Sequence, residues 1–201
     1  GYIYKGMKPV YWCPHDQTAL AEAEIEYADD PCTTLFVKFP VMDDKGKIGQ
    51  YADCSKTYFV IWTTTPWTIP GNMAISLNAE FDYVLLQAPC GEVYILAKEL
   101  VKNVCKAAGL KEEDSKVLAT LKGSEFELMT AKHPLFDRES VILNGDHVTL
   151  EAGTGCVHTA PGFGADDFNI CKQYDEAGLT HIGTPVPVNA KGVMTDEKYN
   201  G

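Results

Sequence analysis

The alternation of apolar and polar positions along the chain predicts a protein made mostly of strands. Runs such as "TTLFVKFPV", "YFVIWTTT", "MAISLN", "FDYVLLQA", "VYIL", "SKVLATL", "ESVIL" and "GTGCVHTA" are short and rich in β-branched and aromatic residues. Clusters of Gly, Asp, Asn and Pro such as "MDDKGKIG" and "APCGE" separate them. Residues 21–27, "AEAEIEY", have a helix-forming composition, yet their apolar and charged residues alternate with period two, which predicts a strand with its glutamates on one face. Two segments break the pattern. In "LAKELVKNVCKAAG", Leu96, Leu100, Val101, Val104, Cys105 and Ala108 fall on one helical face, and Gly109 supplies a stop. The second, "GADDFNICKQYDEAG", opens with Asp166 and Asp167 and closes at Gly178, a helix of about three turns. Many short strands with a few peripheral helices predict an α+β domain on a curved or barrel-like sheet.

Composition adds limits. The 201 residues suffice for a single domain, or one domain with a small lobe, and 45% apolar with 22% charged residues describes an ordinary globular chain. No apolar window is long enough to span a bilayer and the start lacks a signal layout, so a cytoplasmic protein without membrane contact is expected. The absence of an initiator Met and the end at "DEKYNG" in mid-pattern suggest a fragment of a longer protein, with residues 1–30 and 185–201 as connecting strands toward the missing part. Seven cysteines without a CxxC pair, and five histidines without a partner at ligand spacing, indicate neither a disulfide framework nor a metal. A net charge of −11 excludes gripping a nucleic acid by bulk charge and argues against DNA as a partner.

Two stretches carry candidate chemistry. In "FVIWTTTPWTIPGN", Thr63, Thr64, Thr65 and Thr68 cluster where Pro66 ends the ladder, so their hydroxyls leave the sheet together. That suits a hydrogen-bonded corner or a polar binding site equally. In "GTGCVHTAPGFGADDF", the density of Gly and Pro marks a close backbone approach, and Asp166 and Asp167 stand where a helix begins. They suit N-capping, or a carboxylate waiting for a cation. His158 ends an apolar strand, a place more often structural than catalytic, while Cys156 and His158 keep a thiol hydrolase open as an alternative. The string "HIGT" at 181–184 lacks the second histidine of a class I synthetase nucleotide motif and is read as coincidence.

Together, "WTTTPWTIPGN" and "GCVHTAPGFGADDF" resemble the threonine-rich and aspartate-bearing regions of the editing domain inserted into isoleucyl-tRNA synthetase, a class I aminoacyl-tRNA synthetase. The opening "KPVYWCPHDQTALAEAEIEY" resembles the entry into the same insertion, so the resemblance runs from about Lys8 to Thr195. The related valyl and leucyl domains carry an arginine soon after the threonines, where this chain reads "TTTPWT".

The resemblance implies hydrolysis of the ester of valine misattached to isoleucine tRNA. Asp167 would bind the α-ammonium. Thr63, Thr64, Thr65 and Thr68 would hold the ester and its water, with Trp62 and Trp67 shaping the walls and Gly162, Phe163 and Gly164 lining the pocket. His158 would lie on the other side of the substrate. Many relatives carry histidine where Phe163 stands, so that position is not expected to be essential. Mischarged tRNA and the rest of the synthetase are the implied partners, and no cofactor is expected here, because ATP and magnesium would belong to the missing catalytic domain. A noncatalytic RNA-binding or docking module, or an editing domain of the valyl or leucyl type, remains as the alternative reading.

Overall fold

The structure is a computed structural model describing residues 2–3, 5–196 and 198–199. In chain order the strands are β1 (Tyr11–Cys13), β2 (Thr18–Leu20), β3 (Leu35–Asp43), β4 (Thr57–Thr63), β5 (Ala74–Leu77), β6 (Asp82–Gln87) and β7 (Val93–Ala97). There follow helix α1 (Val101–Ala107), β8 (Lys116–Lys122), β9 (Thr130–Lys132), β10 (Glu139–Asn144), β11 (Val157–Thr159) and helix α2 (Ala165–Glu176). The chain divides into two compact units, one spanning Cys32–Ala160 and one assembled from Gly1–Pro31 and Pro161–Gly201.

The larger unit is built on one sheet. Among the described residues its nine strands run in the order β11-β5-β10-β9-β3-β4-β7-β6-β8, antiparallel except for the pairs β5–β10 and β4–β7. A strand order with two ends, β11 and β8, makes an open sheet and no closed barrel, while the α+β class with few helices stands as the pattern predicts. The core explains why the runs fold as strands: Phe39, Phe59, Ile61, Leu85 and Ile95 are wholly buried, each worth roughly 1.5–3 kcal/mol by removal from water. Phe126 packs edge-on against both Phe59 and Tyr83, with ring centroids 5.9 Å apart in each pair. In α1, Val101, Val104 and Cys105 face the core together with Leu100 just before it, and Gly109 ends the helix at φ +67°. Leu96 belongs to β7 instead, and Ala108 is exposed.

The smaller unit holds the β1–β2 hairpin and α2. Residues 21–27 are not a strand: Glu22–Glu24 form a 3-10 turn whose Glu24 carboxylate accepts the Ala21 N–H at 2.7 Å. Their periodicity had no neighbouring strand to pair with, and residues 21–24 are all exposed. Of "GTGCVHTA", only Val157–Thr159 pairs, with β5. Burial alone would raise the Asp175 carboxyl, but bonds from the Thr180 hydroxyl and the Ile182 and Gly183 N–H groups outweigh it and hold the carboxyl below its ordinary value. The "HIGT" string thus supplies donors that tie the chain to the end of α2.

Phe126→Ala should cost about 3–5 kcal/mol of unfolding free energy, because the ring fills the space between Phe59 and Tyr83. Urea denaturation checks this; a cost under about 1 kcal/mol would mean the ring is not a core wedge.

Candidate functional site

The four threonines do leave the sheet together. β4 ends at Thr63, and Pro66–Gly71 wind into a 3-10 turn because Pro66 suits a helix start and has no N–H to give a ladder. The Thr63 hydroxyl accepts the Thr65 N–H at 3.0 Å. Thr65 Oγ1 lies 3.3 Å from Thr63 Oγ1 and 3.4 Å from Thr68 Oγ1, and the Thr68 hydroxyl donates to the Thr65 carbonyl at 2.8 Å. Thr63 and Thr68 are buried, Thr64 and Thr65 half-buried. Among the described residues the Thr64 hydroxyl has no hydrogen-bond partner.

His158, on β11, reaches this turn. Its Nε2 lies 2.9 Å from Thr68 Oγ1, and its Nδ1 lies 2.8 Å from the Asn72 amide nitrogen. The same amide nitrogen is 2.8 Å from the Ala74 carbonyl, which only accepts, so the –NH₂ group must face that way. Asn72 therefore donates to His158 Nδ1, and the proton of the imidazole sits on Nε2, donated to Thr68. Ser140 completes the chain by donating to Asn72 Oδ1 at 2.6 Å. With both nitrogens engaged, by Thr68 and Asn72, His158 has no free lone pair to act as a base. Burial, and after it the neighbouring His133, lowers its pKa to about 4, so it is neutral at pH 7.

The two tryptophans part company. Trp62 is half-buried and packs over Gly153, where a β-carbon would come within 3.1 Å of its ring, whereas Trp67 is 61% exposed. Asp167, Gly162, Phe163 and Gly164 belong to the smaller unit. Gly164 precedes the first turn of α2, and the Asp167 carboxylate folds back over it: a β-carbon on residue 164 would lie 3.0–3.2 Å from the carboxylate atoms. Asp167 is half-buried and Asp166 exposed. A β-carbon on Gly162 would stand 2.5 Å from the Pro185 carbonyl, so this glycine answers to a close backbone approach. Gly162, Phe163 and Gly164 also line a groove of about 490 Å³ walled by Tyr11, Trp12 and Phe168.

Cys156 is buried, its thiol directed at the Ile95 carbonyl at 3.6 Å, and burial pushes its pKa up. The nitrogens of His158 point to Thr68 and Asn72. A protonated thiol without a base beside it is no nucleophile, which removes the ground for a thiol hydrolase. Among the described residues no three His, Cys, Asp or Glu converge as a metal would require, and no helix is long and apolar enough to cross a membrane.

Sequence reasoning missed Asn72, His133 and Arg138, which reach the threonine turn, and Ser140, which holds Asn72. Asn72 stands in the quoted motif but had no partner to give it meaning; the others are far off in sequence and carry no local signal.

The sequence profile of the tRNA synthetases class I (I, L, M and V) matches residues 1–173. The chain is 54% identical over 198 residues to an isoleucine–tRNA ligase of Caldanaerobacter subterraneus subsp. tengcongensis, covering 98% of this chain and 20% of that one. It is 50% identical over 197 residues to the isoleucine–tRNA ligase of Listeria welshimeri, with the same coverages. The chain thus spans about a fifth of the length of these curated relatives. Its fold is similar to the crystal structure of GlLeuRS-CP1, at TM-score 0.65 and 18% identity over 78% of this chain and 70% of that one. It is also similar to the P. knowlesi cytosolic leucyl-tRNA synthetase editing domain, at TM-score 0.61 and 18% identity over 73% and 63% of the two chains.

The buried neutral imidazole makes stability depend on pH. An exposed histidine titrates near 6.5 and His158 near 4, so between those values the unfolded chain binds a proton that the folded one refuses. Stability present above pH 6.5 is lost as pH falls through this window, by about 2 kcal/mol at pH 5. Denaturant titrations at pH 7 and 5 should show that drop, and His158→Gln should abolish most of it; equal drops in both proteins would mean that the imidazole is not held neutral.

Proposed function

We propose that this chain, which belongs to the class I tRNA synthetase family, is the part of a synthetase that hydrolyses the ester of a wrong amino acid on tRNA. The observation that carries the reading is the cluster of hydroxyls at the end of β4, held from behind by a neutral histidine. An aminoacyl ester is labile and lies beside a ribose hydroxyl, so its hydrolysis needs a positioned water and support for the developing oxyanion more than a strong base. Thr63 and Thr68 are engaged in shaping the turn. Thr64, with no intramolecular partner among the described residues, and Thr65, with only the two long hydroxyl contacts, keep capacity for a water or an ester oxygen.

The 50–54% identity to isoleucine–tRNA ligases favours isoleucine tRNA mischarged with valine as the substrate. The need for a second site follows from apolar recognition: one methylene discriminates by only about 1–3 kcal/mol, a limit for which isoleucyl-tRNA synthetase is itself the standing illustration. A pocket that admits valine excludes isoleucine by overpacking. Asp167 is the proposed anchor for the α-ammonium, its carboxylate placed at a helix N-terminus, half-buried, and accommodated by the bare Cα of Gly164. Trp62, Trp67, Gly162 and Phe163 keep their proposed part in shaping the substrate's surroundings. The reading asks for no cofactor in this domain and places it in the cytoplasm, with the rest of the synthetase and tRNA as partners. A net charge of −11 supports a division of labour in which the remainder of the synthetase delivers the tRNA.

Asp167→Ala should slow deacylation of valyl-tRNA by at least about tenfold, since a charge-assisted hydrogen bond contributes about 1.5–3 kcal/mol, while Asp166→Ala should do much less. Single-turnover deacylation and thermal melts of both variants check this. Equal, mild rate effects with a large loss of melting temperature would assign both residues to helix capping.

A further inference from the structure

The turn that carries the threonines is a single short 3-10 segment containing two prolines. Pro66 and Pro70 have no N–H to donate within it, and at its two ends the Thr68 N–H bonds the Thr65 carbonyl at 3.0 Å and the Asn72 N–H the Ile69 carbonyl at 2.9 Å. Its carbonyls are also held from outside, and one holder belongs to no quoted motif: the connection from His133 to Arg138 between β9 and β10, closed by the His133 N–H on the Arg138 carbonyl at 2.9 Å. His133 is 1% exposed. Its Nδ1 accepts the N–H groups of Leu135 at 3.1 Å and Phe136 at 3.2 Å, which puts the proton on Nε2, and Nε2–H donates to the Ile69 carbonyl at 2.9 Å. The next carbonyl, that of Pro70, accepts from the Arg138 guanidinium. Packing fixes both donors, for Phe39 and Phe136 stand edge-on to the imidazole at 6.0 and 5.1 Å, and the guanidinium lies 5.0 Å above the Phe136 ring.

We infer that His133 and Arg138 are positioning residues that clamp consecutive carbonyls of the threonine turn and so set the placement of the Thr64 and Thr65 hydroxyls. His158 and Asn72 hold one side of the turn and this clamp holds the other. A buried donor aimed at a turn carbonyl acts on the geometry of the turn and touches no substrate. The kinetic part of the inference rests on the editing reading; the clamp itself does not.

Two variants of the chain separate the clamp from general packing. His133→Gln keeps a donor at the place of Nε2 and loses the acceptor for Leu135 and Phe136. His133→Asn keeps the acceptor at the place of Nδ1 and loses the donor to Ile69. The clamp predicts that amide hydrogen exchange at Thr68 and Asn72 is at least about tenfold faster in His133→Asn than in His133→Gln. It further predicts that kcat for valyl-tRNA deacylation falls by about tenfold or more in the asparagine variant, with KM little changed, and is mostly retained in the glutamine variant. Equal exchange at these amides in the two variants would overturn the clamp. Absence of valyl-tRNA deacylation by a full-length synthetase carrying the unaltered sequence would instead overturn the editing reading and leave the exchange comparison decisive for the clamp. Should neither His133 variant fold, Arg138→Met supplies the same test, since it keeps the stem over Phe136 and removes the donor; unaltered exchange at Asn72 in that protein would refute the inference.

Discussion

The amide of Asn72 is the contact on which the site depends. Its –NH₂ group is shared between the Ala74 carbonyl at the start of β5 and Nδ1 of His158 on the neighbouring β11, so one side chain ties a strand, an imidazole and the end of the threonine turn together. The Ala74 carbonyl fixes which way the amide faces, the amide fixes the tautomer of the imidazole, and the tautomer fixes the imidazole as a donor to Thr68. Thr68 then has its own proton free for the Thr65 carbonyl. Every group in this chain is buried or half-buried, where an unpaired donor or acceptor costs about 1–3 kcal/mol. The alternatives with a reversed amide or a protonated imidazole each leave such a group without a partner.

This arrangement shapes what chemistry the larger unit can offer. A histidine held neutral and used at both nitrogens stiffens the turn instead of exchanging protons, and a buried, protonated Cys156 adds no nucleophile. What remains at the strand end is a set of hydroxyls, of which Thr63 and Thr68 are fixed by hydrogen bonds and hold the turn that carries Thr64 and Thr65. For a reaction with a labile bond, preorganised polar groups are a sufficient kind of catalyst, because they need no rearrangement when charge develops.

Much of the strand content was legible because the core demands it: the runs around Phe39, Phe59, Ile61, Leu85 and Ile95 are apolar in the way a two-sided buried sheet requires. The α2 helix was legible from its acidic first turn and Gly178, and the departure of the threonines from the sheet from Pro66. Residues 21–27 misled, because period-two alternation records compatibility with a strand and says nothing of whether a partner strand is adjacent. The β9 strand and the polar chain behind the threonines were beyond local pattern: Ser140 meets Asn72 across 68 positions, and His133 meets the Ile69 carbonyl across 64. Such pairings are created by the order of strands in the sheet and leave no periodicity behind. The openness of the sheet was hidden for the same reason, since closure depends on whether the first and last strands meet.

The protonation state of His158 is the central claim, and nitrogen-15 chemical shifts of its imidazole recorded between pH 7 and pH 5 test it most directly. The account predicts a protonated Nε2 and a bare Nδ1 throughout that range, with titration only near pH 4. A doubly protonated ring by pH 6, or a proton on Nδ1 at pH 7, would contradict it.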